Sequence, residues 1–156
     1  MTLQLTVRSF TDDVRRTLLD GIRQMTTDVC TAFRCPRPPL VVVKDEHTPA
    51  AYNDPALTAA AAALFRSAFG DGAVLDRRPE MSGEDFGRYP VAAGVPGFMF
   101  RLGSVAPATL AASRRPGAPP LPSLHSSRYA PVAAPTLATG IRAMTHLVLG
   151  MLTPVF

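Results

Sequence analysis

The sequence predicts an α/β fold, on three observations. Residues 3–9 (LQLTVRS) alternate, with Leu3, Leu5 and Val7 on one side and Gln4, Thr6 and Arg8 on the other. Residues 14–33 carry apolar side chains at helical spacing, and residues 40–43 (LVVV) form a continuous, largely β-branched run. Period two marks a half-buried strand, period 3.6 an amphipathic helix, and an unbroken run a better-buried strand. The chain therefore opens as strand, helix, strand.

The elements follow in order. Thr11-Asp12-Asp13 supplies an N-cap and an acidic first turn, where the helix dipole favours negative charge. Val14, Leu18, Ile22, Met25, Val29 and Phe33 then define one long helix, which the prolines from Pro36 to Pro39 end. Asn53-Asp54-Pro55 predicts a second helix, with Asp54 as cap and Pro55 at the first position. Its buried face is Leu57, Ala61, Leu64, Phe65 and Ala68, and Gly70 stops it. Residues 73–76 fit a short strand, Ser82 to Phe86 a polar turn entering a short helix, and GFMFRLG at 97–103 another strand. Residues 104–122 are rich in Pro, Ala and Ser, lack periodicity and predict a loop. Leu137, Ile141, Met144, Val148 and Met151, spaced 4, 3, 4 and 3, predict a closing helix with that stripe as its buried face. An initial strand needs pairing partners, which the chain must supply elsewhere.

Composition excludes several classes of function. With 47% hydrophobic residues and eight Phe, the 156-residue chain is not a disordered one. No stretch nears the roughly 18 apolar residues of a membrane span. Residues 1–20 show no basic start followed by an apolar block, so a soluble, cytoplasmic chain is expected. The net charge of +4 comes from 15 Arg and a single Lys, Lys44, scattered as pairs such as Arg15-Arg16, Arg77-Arg78 and Arg114-Arg115. A GC-rich coding sequence produces that skew, and nucleic-acid binding needs charge gathered on one face, so no nucleic-acid partner is expected. Cys30 and Cys35, without a second pair, make a weak zinc motif and are expected to be two ordinary thiols.

Few residues carry chemistry by themselves. His146 falls beside the stripe of the last helix, as a packed or rim histidine. His47 lies in a connecting segment near 45–53, where two structural units meet. His125 follows the long loop and precedes Ser126, Ser127 and Arg128, where either a surface or a ligand role is open. Glu84 and Asp85 follow Gly83 at a turn, which suits helix capping as well as acid chemistry. No G-x-S-x-G, P-loop, dinucleotide fingerprint or H-E-x-x-H motif is present.

The order of the motifs adds more. L-T-V-R-S-F precedes the long helix, and T-P-A-A-Y-N-D-P-A-L, M-S-G-E-D-F, P-G-F-M-F-R-L-G and L-H-S-S-R-Y follow before the terminal helix. From about Leu3 to Leu152 the chain resembles the C-terminal half of metal-dependent amidohydrolases, the family of hippurate hydrolase, N-acyl-amino-acid amidohydrolases and auxin-conjugate hydrolases. That resemblance implies a partial two-domain, metallopeptidase-like fold. Residues 1–46 correspond to the C-terminal part of a lid or dimerisation domain, and residues 47–156 to the C-terminal part of a catalytic α/β domain.

The resemblance also implies a chemistry. His125 matches a metal-binding histidine, and Gly83, Glu84 and Asp85 match a turn near the active site. The full-length family uses a divalent metal of the Zn, Mn or Co type to activate water against the amide of an N-acyl amino acid. Its other ligands, in H-x-C-G-H-D-like and D-G-H-like segments, and its glutamate base have no counterpart here. Ser127 and Ala130 stand where the family has Pro and an acidic residue. The expectation is a truncated hydrolase, inactive and without bound metal as this chain alone. The alternative is a non-catalytic module that forms a homodimer or pairs with a full-length paralogue.

Overall fold

The computed structural model of the protein describes residues 1–152. All of the regular structure among those residues is helical: α1 (Asp12–Ala32), α2 (Pro55–Phe69), α3 (Arg88–Ala93), α4 (Pro107–Ser113) and α5 (Ala133–Leu152). Short 3-10 turns at Asp71–Ala73 and Asp85–Gly87 complete the set. The expected α/β class is therefore overturned, because none of the four predicted strands pairs into a sheet.

The physical reason lies in what alternation reports. A pattern of apolar side chains states which face seeks burial, whereas a strand exists only when a neighbour completes its backbone ladder. Segments 3–9 and 40–43 have no such neighbour among the described residues, and Leu3, Leu5, Leu40 and Val42 are 68–88% exposed. At 73–76 the local chain wins instead. Gly70, at φ 86°, leads into Asp71-Gly72, and the amide of Val74 donates to the Asp71 carbonyl, closing a 3-10 turn.

The chain divides into two compact units. The first comprises Met1–Asp54 and Arg77–Met99; the second comprises Pro55–Asp76 and the chain from Phe100 onward.

In the first unit, α1 begins as its sequence predicts. Thr11 is extended at φ −120° and ψ 154°, and its Oγ1 accepts from the Val14 amide at 3.3 Å. The face is different from the predicted one. No residue of α1 is buried, and the better covered positions are Arg15, Leu19, Ile22, Thr26 and Cys30. The stripe of Val14, Leu18, Met25 and Val29 is 40–67% exposed. The helix ends at Ala32, and Cys30 and Cys35 form a disulfide rather than two free thiols. A turn after the helix brings their Cα atoms to 5.0 Å, inside the span a disulfide needs.

In the second unit, α2 packs against α5. The predicted face of α2 holds: Ala61 is fully buried, and Leu57, Leu64, Phe65 and Ala68 are half-buried. α5 exists as predicted but faces the other way. Its covered positions are Thr136, Thr139, Gly140, Ala143 and Leu147, while Leu137, Ile141, Met144, Val148 and Met151 are 39–67% exposed. Small residues explain the rotation, because they let the helices approach closely. A methyl added at Gly150 would lie 2.6 Å from Leu64 Cδ2, and one at Gly140 would lie 3.1 Å from Leu102 Cδ2. Phe65 meets Phe100 edge-on at 4.9 Å between ring centroids. The predicted loop at 104–122 contains α4, whose Pro107 stands at the start of a short alanine-rich run.

Candidate functional site

The residues singled out by the sequence fall in both units. Gly83, Glu84 and Asp85 belong to the first and His125 to the second. Each is exposed.

In the first unit the motif segments interlock. Asn53 donates from Nδ2 to the Met99 carbonyl at 2.8 Å and accepts at Oδ1 from the Met99 amide at 2.9 Å. Next to it, the Asp54 amide donates to the Gly97 carbonyl at 2.8 Å. The N-D-P and G-F-M-F-R-L-G segments are thereby fastened by three hydrogen bonds, two of them through a side chain acting in place of a strand. Gly87 is buried against the Ala50 backbone, and a Cβ there would lie 2.6 Å from the Ala50 carbonyl oxygen. Gly97 is equally close to Pro90.

Around this lock lies the acidic turn. Glu84 is the N-cap of the 3-10 turn, accepting from the Phe86 amide at 3.1 Å, so its side chain has a structural task. Asp85 accepts from Thr48 Oγ1 at 3.4 Å, and Arg88 donates to the His47 carbonyl at 2.7 Å. Asp85 also lines an open hollow of about 780 Å³ with Arg88, Tyr89, Ala92 and Ala93. Arg8 donates to the Met81 carbonyl at 3.1 Å, tying the N-terminal segment to the M-S-G-E-D-F motif.

In the second unit, His125 projects from a turn built by its neighbours. The Ser126 amide donates to the Ser123 carbonyl at 2.9 Å, and the Tyr129 amide to the Ser126 carbonyl at 3.0 Å. Ser126 Oγ accepts from the Arg128 amide at 3.2 Å. Tyr129 OH and Ser104 Oγ are hydrogen-bonded, and the Val132 amide donates to the Ser104 carbonyl at 2.9 Å. These bonds hold the L-H-S-S-R-Y turn in place and leave the imidazole free of any structural duty shown by its neighbours' bonds.

His125 is one donor, and a catalytic metal ordinarily takes about three from the protein. No three His, Cys, Asp or Glu side chains among the described residues gather into a set that holds a metal. His146 behaves as a rim histidine, its ring edge-on to Phe69 at 6.0 Å, with Arg142 lying over the same Phe69 ring at 5.0 Å.

Sequence reasoning did not single out Asn53 as a lock or Tyr129 as an anchor. Asn53 carried a legible signal, a polar side chain directly before a helix start, but its partner lies 46 residues away. No helix among the described residues is long and apolar enough to cross a membrane. No family model matches the chain, and comparison with curated proteins and with solved structures finds no match.

Proposed function

We propose that these residues are the C-terminal part of a metal-dependent amidohydrolase acting on N-acyl amino acids. In this reading His125 contributes one metal ligand, and hydrolysis needs polypeptide that supplies the remaining ligands and the base. The observation that carries it is the interlocking of motifs in the first unit. Three of the segments on which the resemblance rests, T-P-A-A-Y-N-D-P-A-L, M-S-G-E-D-F and P-G-F-M-F-R-L-G, meet in the first unit through Thr48, Asn53, Asp85, Phe86, Gly97 and Met99, while L-H-S-S-R-Y lies in the second. The cytoplasm is the compartment this reading assigns.

The test is reconstitution. The purified chain is mixed with a separately expressed N-terminal portion of a hippurate hydrolase, with Zn²⁺, Mn²⁺ or Co²⁺, and amino-acid release from hippurate is followed. Neither part alone should act, the mixture should, and His125→Ala should abolish the activity while His47→Ala leaves it. Hydrolysis by the chain alone, or an inactive complex of the two parts, overturns the reading.

A second reading, a non-catalytic pairing module, is favoured by the uncovered apolar surface. On α5, Leu137, Ile141 and Met144 are 51–67% exposed, and on α1 Met25 and Val29 are 67% and 52% exposed. A stable interface takes about 800 Å² from each partner. Light scattering after size exclusion, on the chain alone and with a full-length paralogue, tests it; a well-folded monomer in both cases counts against pairing.

A further inference from the structure

We propose that the Cys30–Cys35 disulfide is a redox-sensitive clasp, which fixes the last turn of α1 and the direction in which the chain leaves it. The residues between the two sulfurs are held in an unfavourable shape. Arg34 has φ 50°, a left-handed conformation that costs free energy for a residue with a Cβ and persists where its surroundings impose it. Three backbone hydrogen bonds fold the same turn: Phe33 to the Val29 carbonyl at 3.0 Å, Arg34 to Thr31 at 3.1 Å and Cys35 to Cys30 at 2.9 Å.

Little else supports this end of the helix. α1 has no buried residue, its last turn contains no basic side chain to meet the free carbonyls, and Phe33 is 81% exposed. The covalent link is therefore the strongest constraint on the turn. Immediately beyond it, Pro36, Pro38 and Pro39 give a stiff segment that leads into the apolar run of residues 40–43, in which Leu40 and Val42 are exposed and Val41 and Val43 half-buried. A change of direction at Cys35 is passed along that segment to the run.

Cys35 is exposed and Cys30 half-buried, so a solvent thiol reaches Cys35 first. A small-molecule thiolate attacks Cys35 Sγ, forming a mixed disulfide and breaking the bond to Cys30, which leaves as a thiolate and takes a proton. A second thiol then releases Cys35 as a thiol. The protein gains two electrons and two protons, and the reagent leaves as its own disulfide. In a compartment with abundant reduced glutathione the clasp opens; in an oxidising one it closes.

The experiment uses the full chain, purified in air and alkylated before and after reduction. Intact mass should show no alkylation before reduction and two additions after it, with the chain monomeric with respect to disulfides. Hydrogen exchange should then report amides 31–35 opening about tenfold faster or more in the reduced chain, with α2 and α5 unchanged. The variant Cys30→Ser/Cys35→Ser should exchange like the reduced chain with or without thiol. Free thiols or an intermolecular disulfide in the air-purified chain overturn the proposal, as does equal exchange at 31–35 in the two redox states.

Discussion

The carboxamide of Asn53 grips the backbone of Met99 from both sides, donating to its carbonyl at 2.8 Å and accepting from its amide at 2.9 Å. This is the hydrogen-bond pattern a neighbouring strand would offer, delivered by one side chain. The backbone cannot extend the pairing, because Pro55 follows Asp54 and brings no amide hydrogen. The result is a point attachment in a place where a sheet is absent, and both groups are half-buried, so water replaces them poorly.

Replacing Asn53 with Ala should therefore destabilise the first unit by about 1–3 kcal/mol, the cost of leaving partly buried backbone groups without partners. Asn53→Asp should cost at least as much, since a carboxylate oxygen then faces the Met99 carbonyl. Urea unfolding followed by circular dichroism measures both, and an unchanged midpoint for Asn53→Ala would show that the attachment contributes nothing.

Gly87 offers a sharper contrast. A methyl there would lie 2.6 Å from the Ala50 carbonyl oxygen and 2.9 Å from its carbon, which are backbone atoms unable to swing aside. Gly87→Ala should cost about 1–3 kcal/mol through that overlap. Gly72, in the 3-10 turn after α2, has nothing within 4 Å of the same methyl and no positive φ. Gly72→Ala should be neutral or stabilising by about 0.4–1 kcal/mol through the unfolded chain. Thermal melts of the two variants side by side distinguish local crowding from a general intolerance of larger residues.

Local chemistry was legible in the sequence, and long-range pairing was not. Thr11 announces α1, Pro55 announces α2 and Gly70 ends it, because caps and breakers act within a few residues of themselves. The strands at 3–9, 40–43 and 97–103 failed because a ladder depends on a partner whose position no local pattern encodes. Face selection in α5 failed for a related reason. The stripe of large residues from Leu137 to Met151 is the stronger hydrophobic signal, yet α2 approaches the side where Ala143 and Gly150 allow contact. At the candidate site, Glu84 was legible as a cap, while the hydrogen bond between Tyr129 and Ser104, 25 residues apart, was not.

The Phe69 ring carries a second test. Arg142 lies over its face at 5.0 Å and His146 meets it edge-on at 6.0 Å, both from α5. Arg142→Ala should lower the stability of the α2–α5 pair by about 0.5–1 kcal/mol, the range for an exposed cation over an aromatic ring. Arg142→Lys should recover part of it and Phe69→Leu should make the Arg142 substitution silent. A double-mutant cycle on these positions, read by chemical unfolding, isolates the pair; additive effects would remove the interaction.

The two sides of α5 make opposite predictions. Ala143 is 4% exposed and Leu147 9%, on the side packed toward α2. Leu147→Ala should cost about 2–5 kcal/mol by opening a cavity, and Ala143→Asp should cost more than a typical surface change by placing an unpaired carboxylate in the contact. Ile141 and Met144, 67% and 51% exposed, should behave as surface positions. Ile141→Lys and Met144→Lys should change unfolding of the isolated chain by no more than about 0.5 kcal/mol. Both should reduce self-association seen by light scattering if the outer stripe drives it. Should Ile141→Lys instead unfold the chain, the outer stripe is the packed face, and the stripe read from the sequence would be the correct one.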